Sequence, residues 1–386
     1  MLKKSKKVVV AGHICLDITP NFSSDKVGKL QEVLMPGKLI NVEQADIHTG
    51  GAVANTGLGM KILGADVKLI GKIGQDSFGK LVLDILDEYD ASAGMISSPN
   101  VSTSYSIVIT PPGVDRIFLH NPGANDTFQA NDIKDDMLED VSMFHFGYPT
   151  LMKNIYQNEG EELLKIFKKI KELNIATSLD MAAIDATSEA GKVDWTKILE
   201  RVLPYVDFFV PSVEELCFML DREKYEEWIR KADGNDITSI LSINNDVKPL
   251  ADKLMNMGAK VVLVKCGAPG LYYRTAEKSI VAGIGSNLNI DLESWANREG
   301  FEESYEPEKV ISGTGAGDTS IAAFLTAILS GGYTFEKCIQ LAVATGASCV
   351  SEYDALSGLE SFEKIEKKIN DGWKKQHLLK ENNNIC

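Results

Sequence analysis

The segment ISGTGAGDTSIAAFLTAILSGG, residues 311–332, carries the clearest structural signal in this chain. Apolar side chains recur at i, i+3, i+4, i+7 and i+8 from Ile321, which predicts an amphipathic helix over 319–329. Gly331 and Gly332 follow the last apolar residue and predict the end of that helix. Ahead of it, residues 313–317 have almost no side chains. The segment therefore predicts a glycine-rich loop that leads directly into a helix N-terminus.

This junction between loop and helix has the chemistry of an anion-binding site. Backbone N–H groups without side chains around them can approach a ligand closely, and a helix N-terminus adds free amides and partial positive charge. Asp318 follows the loop directly. A carboxylate at a helix start is most often a cap, but beside an anion cradle it can also deprotonate a bound hydroxyl. Phosphoryl transfer needs both a stabilised phosphate charge and a hydroxyl held in line.

Short β-branched runs alternate with longer helical patterns along the rest of the chain. Strands are expected over 8–10, 67–70, 106–110, 117–119, 143–146, 177–180, 208–210, 261–265 and 271–274. Helices are expected over 53–63, 78–88, 161–173, 195–202, 247–257 and 319–329. This rhythm predicts a single α/β domain, residues 1–386, in which helices cover both faces of a mainly parallel sheet.

Some regions depart from this rhythm. Residues 18–48 and 101–121 are rich in strand signals and punctuated by Pro and Gly, and we expect them to pair as a small β-rich lid. Residues 286–307 are acidic and poor in apolar side chains, which predicts a surface insertion. The polar tail after Trp373 is expected to fray.

Composition limits the partners and the compartment that we expect. The chain has 40 Lys and Arg against 55 Asp and Glu, and its net charge of -15 disfavours nucleic acids and anionic membrane surfaces. The sequence contains no run of about 18 apolar residues, so we predict no membrane span. Six scattered cysteines without a CxxC pattern favour neither a disulfide framework nor a zinc site. We therefore expect a cytoplasmic protein.

Three segments together resemble the ribokinase-like (PfkB) carbohydrate kinase family. GTGAGD at 313–318 followed by an apolar helix resembles the C-terminal signature of that family. GGAVANTGLGMKILG at 50–64 and IGKIGQDSFGK at 70–80 resemble its N-terminal signature. The segments stand in the family's order, and the resemblance extends from Val8 to about Gly358. It implies a three-layer α/β/α ribokinase-like core with a small β-rich lid.

The resemblance also implies which residues form the site. Asp318 stands in the place of the family's catalytic base. The family's anion hole is matched by Gly315, Ala316 and Gly317. Carboxylates and amides suit the binding of vicinal hydroxyls. The positions that the resemblance assigns to sugar binding are Asp17, Gly50, Gly51, Asn55 and Asn125.

The nucleotide half of the family pattern is matched with substitutions. Lys265, Gly267 and Gly270 stand at the positions of the family's T-x-G-x-x-G nucleotide loop, with Lys265 in place of the Thr. Its charge suits a position near phosphate. Thr314 is the fourth residue that we assign to nucleotide binding, and the resemblance implies ATP as the phosphate donor.

The metal requirements follow less directly from the resemblance. Glu215 matches the Glu of an N-x-x-E motif that is linked to Mg²⁺, although Ser212 replaces its Asn, so we expect an indirect role for Glu215. Ser312 and Gly313 replace the Asp-Thr pair that opens the family's C-terminal motif. That Asp helps to build a monovalent-cation site in ribokinase, so a potassium requirement stays open for this chain.

Two nucleotide-binding motifs of other folds match poorly. The stretch 74–80 is a near match to a P-loop, but Leu81 stands where that motif needs a hydroxyl, and Asp76 would add negative charge to a phosphate cradle. GTGAGD lacks the third glycine of the dinucleotide-binding fingerprint.

The function that we predict is ATP-dependent transfer of the γ-phosphoryl group to a hydroxymethyl group of a small carbohydrate. A nucleoside kinase of the same fold and a non-catalytic sugar-binding protein remain alternatives. A strand-rich lid with one apolar face would be compatible with a homodimer formed through the lid.

Overall fold

A computed structural model describes residues 6–22, 36–110, 117–285 and 288–378. The strands in these ranges are β1 Lys7–Gly12, β2 Cys15–Thr19, β3 Asp46–Gly50, β4 Asp66–Ile70, β5 Lys72–Gly74, β6 Ile96–Ser98, β7 Tyr105–Ile109, β8 Ile117–Asn121, β9 Val141–Gly147, β10 Ala176–Asp180, β11 Phe208–Phe209, β12 Val261–Lys265, β13 Gly270–Thr275 and β14 Glu299–Glu303.

The α-helices are α1 Ala52–Ile62, α2 Ser77–Asp87, α3 Lys153–Glu172, α4 Trp195–Val202, α5 Val213–Leu220, α6 Arg222–Ala232, α7 Lys248–Asn256, α8 Lys278–Val281, α9 Leu292–Trp295, α10 Ala316–Ser330, α11 Phe335–Cys349 and α12 Phe362–Asn370. A kink at 157–160 interrupts α3. Polar caps start many of the helices, as Thr334 does before α11 and Ser361 before α12. None of the helices in the described ranges is both long and apolar enough to cross a bilayer.

The central sheet has the strand order β14-β13-β12-β11-β10-β9-β1-β4. The strands from β12 to β4 run parallel, whereas β13 and β14 are antiparallel at one edge. Alternate residues of β1 enter different hydrophobic cores, Val9 on one side of the sheet and Val8 and Val10 on the other. Both faces are therefore covered, which explains the continuously apolar strands. The predicted α/β fold with a mainly parallel sheet is confirmed.

The parallel strands end together at one edge of the central sheet. Gly12 of β1 is in register with Gly147 of β9, and Gly147 with Asp180 of β10. Lys265, the last residue of β12, forms a bridge with Ser212, which follows β11. Ligands bind beyond the carboxyl ends of the strands in open α/β sheets. This edge therefore locates the candidate site.

A smaller sheet of order β3-β2-β7-β8 packs beside the core. The stretches 18–48 and 101–121 both contribute strands to it, and β2 pairs with β7 in parallel; residues 23–35 and 111–116 lie outside the described ranges. Because of the pairing register of the strands, the two faces of this sheet carry different kinds of side chain. One face carries a cross-strand row of apolar residues, Ile47, Ile18, Ile107 and Leu119. The other face carries a polar row, His48, Asp17, Ser106 and His120.

The helix predicted over 319–329 is present but begins at Ala316 and is not amphipathic. Nearly all of α10 is buried, including polar Thr319 and Thr326. The helix packs between α1 and α11, and a Cβ at Gly59 of α1 would lie 3.1 Å from the Ala322 Cβ atom. Contacts on two sides therefore replace the single apolar stripe that the sequence pattern predicts.

The prediction of a surface insertion over 286–307 is wrong for most of its length; residues 286–287 lie outside the described ranges. The segment supplies α9 and β14, the edge strand of the central sheet. Trp295 is buried among Phe208, Phe324 and Phe335. The acidic composition misled the prediction because the glutamates of an edge strand can face solvent while a few aromatic residues anchor the segment.

The prediction that the tail frays after Trp373 is also wrong for its described part. Lys375 forms a bridge with Tyr305, and the Gln376 N–H donates to the Ser304 carbonyl at 2.9 Å. Residues 373–378 therefore lie against the chain that follows β14. Residues 379–386 lie outside the described ranges.

Candidate active site

The glycine-rich loop ends where α10 begins. Gly315 precedes the helix with a φ of 73°, a conformation that side chains disfavour, and a Cβ there would overlap the Ala355 Cβ atom. The first N–H groups of an α-helix lack intrahelical acceptors. Gly315, Ala316 and Gly317 line a cavity of about 590 Å³, which also reaches Asp318. The predicted anion hole and the predicted base thus border the same space.

Donors from two other parts of the chain hold the Asp318 carboxylate. Asn55 of α1 donates from Nδ2 to Oδ2 at 3.0 Å. Tyr148 donates its hydroxyl to Oδ1 at 2.7 Å, and the neighbouring Thr56 hydroxyl lies 3.4 Å from the same oxygen. Asp318 itself is buried, with 5% of its surface exposed. Its carboxylate is therefore fixed in orientation at the cavity wall.

Tyr148 is a site residue that sequence reasoning missed. It follows β9 directly and has left-handed backbone angles, φ 65° and ψ 44°, which are uncommon for a bulky side chain. Burial, together with Asp318, raises the pKa of its hydroxyl well above the usual range, so the group stays a hydrogen-bond donor. The unusual backbone at a strand end is a functional signal that only the structure provides.

A buried ion pair lies beside the anion hole. Lys265 Nζ contacts Asp180 Oδ1 at 2.8 Å, and no part of the Asp180 side chain is exposed. A Cβ built on Gly317 would lie 3.6 Å from Lys265 Nζ, so the ammonium reaches the start of α10. Lys265 therefore places a positive charge next to the first turn of α10.

The electrostatics of this pair involve neighbouring acids. Burial by itself lowers the pKa of Lys265, but the carboxylates of Asp180, Glu215 and Asp318 outweigh it and raise that pKa. Lys265 therefore stays charged. Burial raises the pKa of Asp180, and its Oδ2 atom has no hydrogen-bond partner in the described part of the chain. The pair is thus well placed to exchange partners when an anion arrives.

Glu215 lies in the first turn of a helix that borders the cavity next to Lys265. Ser212 and Glu215 form a reciprocal capping box at α5, in which Glu215 Oε2 accepts from the Ser212 N–H at 2.7 Å. Glu214 and Asp236 also line the cavity. In the described ranges no cluster of three or more His, Cys, Asp or Glu side chains is arranged as a complete metal site. Mg²⁺ in nucleotide enzymes usually takes one or two carboxylates plus phosphates and water, so these acids fit it.

The remaining predicted nucleotide residues divide into two groups. Gly267 and Gly270 line the cavity. Thr314 is not among the lining residues, and its Oγ1 accepts from the Ser312 hydroxyl at 2.9 Å. Thr314 therefore braces the glycine-rich loop instead of facing the cavity.

Asp17 lies on the polar face of the smaller sheet, against the start of α1. The Cys15 thiol donates to its Oδ1 atom at 3.3 Å, and a Cβ at Gly50 would overlap its Oδ2 atom. Gly51, the residue before α1, has a φ of 83°, and a Cβ there would lie 2.5 Å from His13 Nδ1. Burial raises the pKa of Asp17. Glycines at 50 and 51 thus allow the carboxylate and an imidazole to approach the helix that carries Asn55.

His13 is a second residue that sequence reasoning missed. Its ring lies 5.3 Å from that of His120 and 6.0 Å from that of Tyr148. Burial, with a contribution from His120, lowers the pKa of His13 to about 3, so its ring is neutral. Neither ring nitrogen has a hydrogen-bond partner in the described part of the chain. A neutral imidazole between the base and the polar row offers one donor and one acceptor.

Asn125 does not present its side chain to a ligand in this structure. Its side chain is fully buried and donates to the Ile14 carbonyl at 2.9 Å while accepting from the Ile14 N–H at 3.3 Å. A carboxamide that bonds to both the N–H and the carbonyl of one residue is a brace. We therefore revise the sugar-contacting role predicted for Asn125: it holds the bend between β1 and β2.

Comparison with known proteins gives the family and the fold of this chain. The family model described as "pfkB family carbohydrate kinase" matches residues 5–361. An uncharacterized sugar kinase of Archaeoglobus fulgidus is 24% identical over 302 residues, 78% of this chain and 98% of that protein. Arabidopsis thaliana ribokinase complexed with ribose and ATP superposes with a TM-score of 0.66 at 20% identity, covering 94% of this chain and 98% of that one.

A putative ribokinase II from E. coli, in complex with ATP and Mg²⁺, gives a TM-score of 0.66 at 20% identity over 95% of this chain and 99% of that one. Those structures share the fold of this protein. The chain belongs to the pfkB family of carbohydrate kinases.

Proposed function

We propose that this protein transfers the γ-phosphoryl group of ATP to a hydroxymethyl group of a small carbohydrate. The arrangement of Asp318 carries the proposal. Its carboxylate lies in the first turn of α10, held by Asn55 and Tyr148, and borders the same cavity as the glycine-rich loop and Lys265. A binding protein without catalysis has no need of an acid fixed next to an anion hole.

The reaction follows from these positions. The substrate hydroxyl gives its proton to Asp318 as its oxygen bonds to the γ-phosphorus, and the bond from that phosphorus to the β–γ bridging oxygen breaks to release ADP. The amides of residues 315–317 and the Lys265 ammonium stabilise the charge that spreads over the transferring phosphoryl oxygens. Burial of Asp318 keeps bulk water from competing with the sugar hydroxyl.

Mg²⁺ would be held by the phosphates with Glu215, directly or through water, and when bound it neutralises phosphate charge. Glu215 lines the cavity, and its own carboxylate is already oriented by the Ser212 N–H. The potassium requirement remains a separate question, which a comparison of turnover in sodium and potassium salts answers directly.

The polar row of the smaller sheet favours a free carbohydrate over a nucleoside. Asp17 is flanked across the strands by His48 and Ser106, with His120 next in the row. These side chains offer hydrogen bonds to several hydroxyls. A nucleoside needs an apolar or aromatic slot for its base. The cross-strand row around Asp17 is polar, and Val108 and Phe118 are the apolar pair next to it on the same face. A nucleoside kinase remains the second candidate because it shares the base and the anion hole.

Substituting Asp318 tests the proposal. ADP release is measured with a panel of sugars and nucleosides, and Asp318→Asn should lower turnover on the best acceptor by roughly 10²–10⁴-fold while sugar binding is kept. Asp194→Asn is the matched control, because Asp194 also stands at a helix start, accepts from the Lys197 N–H and lies outside the cavity lining. Full activity in Asp318→Asn would remove this residue from the mechanism. Sugar binding by the wild type without turnover on any acceptor would favour a binding protein.

We also propose that the protein forms a homodimer through the smaller sheet and is located in the cytoplasm. On the apolar row, 54% of Leu119 and 43% of Ile47 are exposed, which is unusual for side chains of this size in one row. A second copy of the sheet would cover them. Light scattering that shows a monomer at micromolar concentration would contradict the dimer.

A further inference from the structure

Residues 373–378 form a C-terminal strap that lies beyond the part of the chain matched by the family model, residues 5–361. The strap follows α12 and runs antiparallel to residues 304–306. The Glu306 N–H donates to the Lys374 carbonyl and the Gln376 N–H to the Ser304 carbonyl, both at 2.9 Å. The strap thus extends the β-pairing of the chain next to β14.

Side chains anchor the strap on Tyr305. The Trp373 ring lies 4.7 Å from the Tyr305 ring, and its Nε1 atom donates to the Glu306 carbonyl at 2.7 Å. The Lys375 Nζ atom lies over the Tyr305 ring, 3.5 Å from its centroid, and forms an ion pair with Glu302 Oε1 at 2.6 Å. Aromatic and cation–π contacts with Tyr305 and an ion pair with Glu302 hold this segment in a defined position.

The strap reaches the cavity at Gln376, which is one of the lining residues. The cavity has two chemically different parts. Lys265 and the N-terminus of α10 supply positive charge, which suits phosphates. The lining also includes apolar residues, among them Pro307, Val310, Val343, Ala347 and Val350. A nucleotide has the same division, with charged phosphates and a flat base.

The orientation of the Gln376 amide follows from its partners. Its Nε2 atom donates to the Tyr305 carbonyl at 3.0 Å and lies 3.5 Å from the Ala268 carbonyl. Both neighbours are acceptors, so the NH₂ group must face the chain. The Oε1 atom accepts no hydrogen bond from the described residues. A fixed acceptor therefore remains on the cavity wall.

We propose that Gln376 selects the nucleotide base, with Oε1 accepting a hydrogen bond from the exocyclic amino group of adenine. The inference rests on the proposed function, since it assigns this cavity to ATP. An acceptor beside Ala268 on the cavity wall favours adenine, whose C6 substituent is a donor, over hypoxanthine, whose C6 substituent is an acceptor. The C-terminal strap is thereby part of the nucleotide site.

Calorimetric titration of the full chain with ATP and with ITP, both with Mg²⁺, tests this inference without requiring a known sugar. The wild type should bind ATP about 3- to 10-fold more tightly than ITP, the worth of one neutral hydrogen bond. Gln376→Met should bring the two dissociation constants to within about twofold. His377→Ala is the matched control, because His377 lies in the same strap, bonds to Glu303 and is absent from the cavity lining. It should keep the preference for ATP.

The outcomes separate base selection from the other roles. Equal affinities in the wild type, or an unchanged preference in Gln376→Met, would overturn the inference while leaving ATP as the donor. If Gln376→Met weakens both nucleotides by the same factor, the strap acts only as a wall and base selection is refuted. Failure of the wild type to bind either nucleotide would refute the proposed function itself.

Discussion

Lys265→Met removes one charge of the buried pair and thereby tests whether that charge serves stability, catalysis or both. Lys265 lies 2.8 Å from Asp180, and their side chains are 15% and 0% exposed. In the variant, Asp180 keeps its contact with the Met181 N–H but faces no cation. Methionine has a similar length and preserves the packing of the lysine stem.

The expected loss of stability follows from the proton that Asp180 must then take up. Protonating a carboxyl whose unfolded pKa is near 4 costs about 4 kcal/mol at pH 7, and this cost is the upper limit for the loss of stability. The limit agrees with the cost of breaking a buried ion pair, which is typically about 3–5 kcal/mol. Since burial raises the pKa of Asp180 in the folded state, the penalty is small near pH 4 and grows as pH rises toward neutrality. Asp180→Asn combined with Lys265→Met should recover most of the stability because no buried charge remains.

Activity should behave differently from stability. Loss of the ammonium next to the loop amides should lower turnover by about 10²–10³-fold, and the double variant should not recover it. Urea unfolding at pH 5 and pH 7, together with initial rates of ADP release, provides both readouts. Full turnover in the double variant would show that Lys265 acts only as the partner of Asp180. A stability loss in Lys265→Met that does not change with pH would refute the assignment of the penalty to the Asp180 charge.

Three further substitutions test two residues of the candidate site and one buried histidine of β9. Tyr148→Phe removes the 2.7 Å hydrogen bond to Asp318 and should lower kcat about tenfold with little change in the KM of the sugar; an unchanged kcat would show that Tyr148 has no part in holding the base. Gly50→Ala would place a methyl group on the Asp17 carboxylate, so the sugar KM should rise about tenfold or more while calorimetric ATP binding stays the same. Burial lowers the folded pKa of His145 to about 3, below its unfolded value near 6.5, so the unfolded state binds the proton and stability falls as pH drops below 6.5. His145→Gln should therefore remove about 2 kcal/mol of the loss measured by urea unfolding between pH 6.5 and 4.5, and an unaltered pH dependence would contradict this.

The fold was predictable from the sequence because its signals are local. Apolar strand runs, helix periodicity and the glycine-rich loop are each encoded within about twenty residues, and the βαβ rhythm predicts a mainly parallel sheet. Segments whose position depends on a few distant contacts were mispredicted. Trp295 and the strap residue Trp373 anchor acidic or polar segments that composition alone assigns to solvent.

The site was predictable only where one motif carries it. Asp318 and the loop before it share a segment, and the N-terminal signature supplies Asn55. The Lys265–Asp180 pair joins residues 85 positions apart, and the bond from Tyr148 to Asp318 spans 170 positions. The spacing of residues within a motif cannot predict contacts between residues so far apart in the sequence. Asn125 shows the converse, since a residue matched to a binding position pairs with the backbone of Ile14.

The hydrogen bonds of Asp318 also indicate from which side the acceptor sugar approaches. Each carboxylate oxygen has two lone pairs, and Oδ1 already faces the hydroxyls of Tyr148 and Thr56. Oδ2 receives only the Asn55 amide among the described residues, so it has capacity for one more donor. The substrate hydroxyl is therefore expected at Oδ2, next to Asn55. Since α1 carries Asn55 and starts against Asp17, we expect the sugar to lie between Asp318 and the polar row, with the phosphate donor on the side of Lys265.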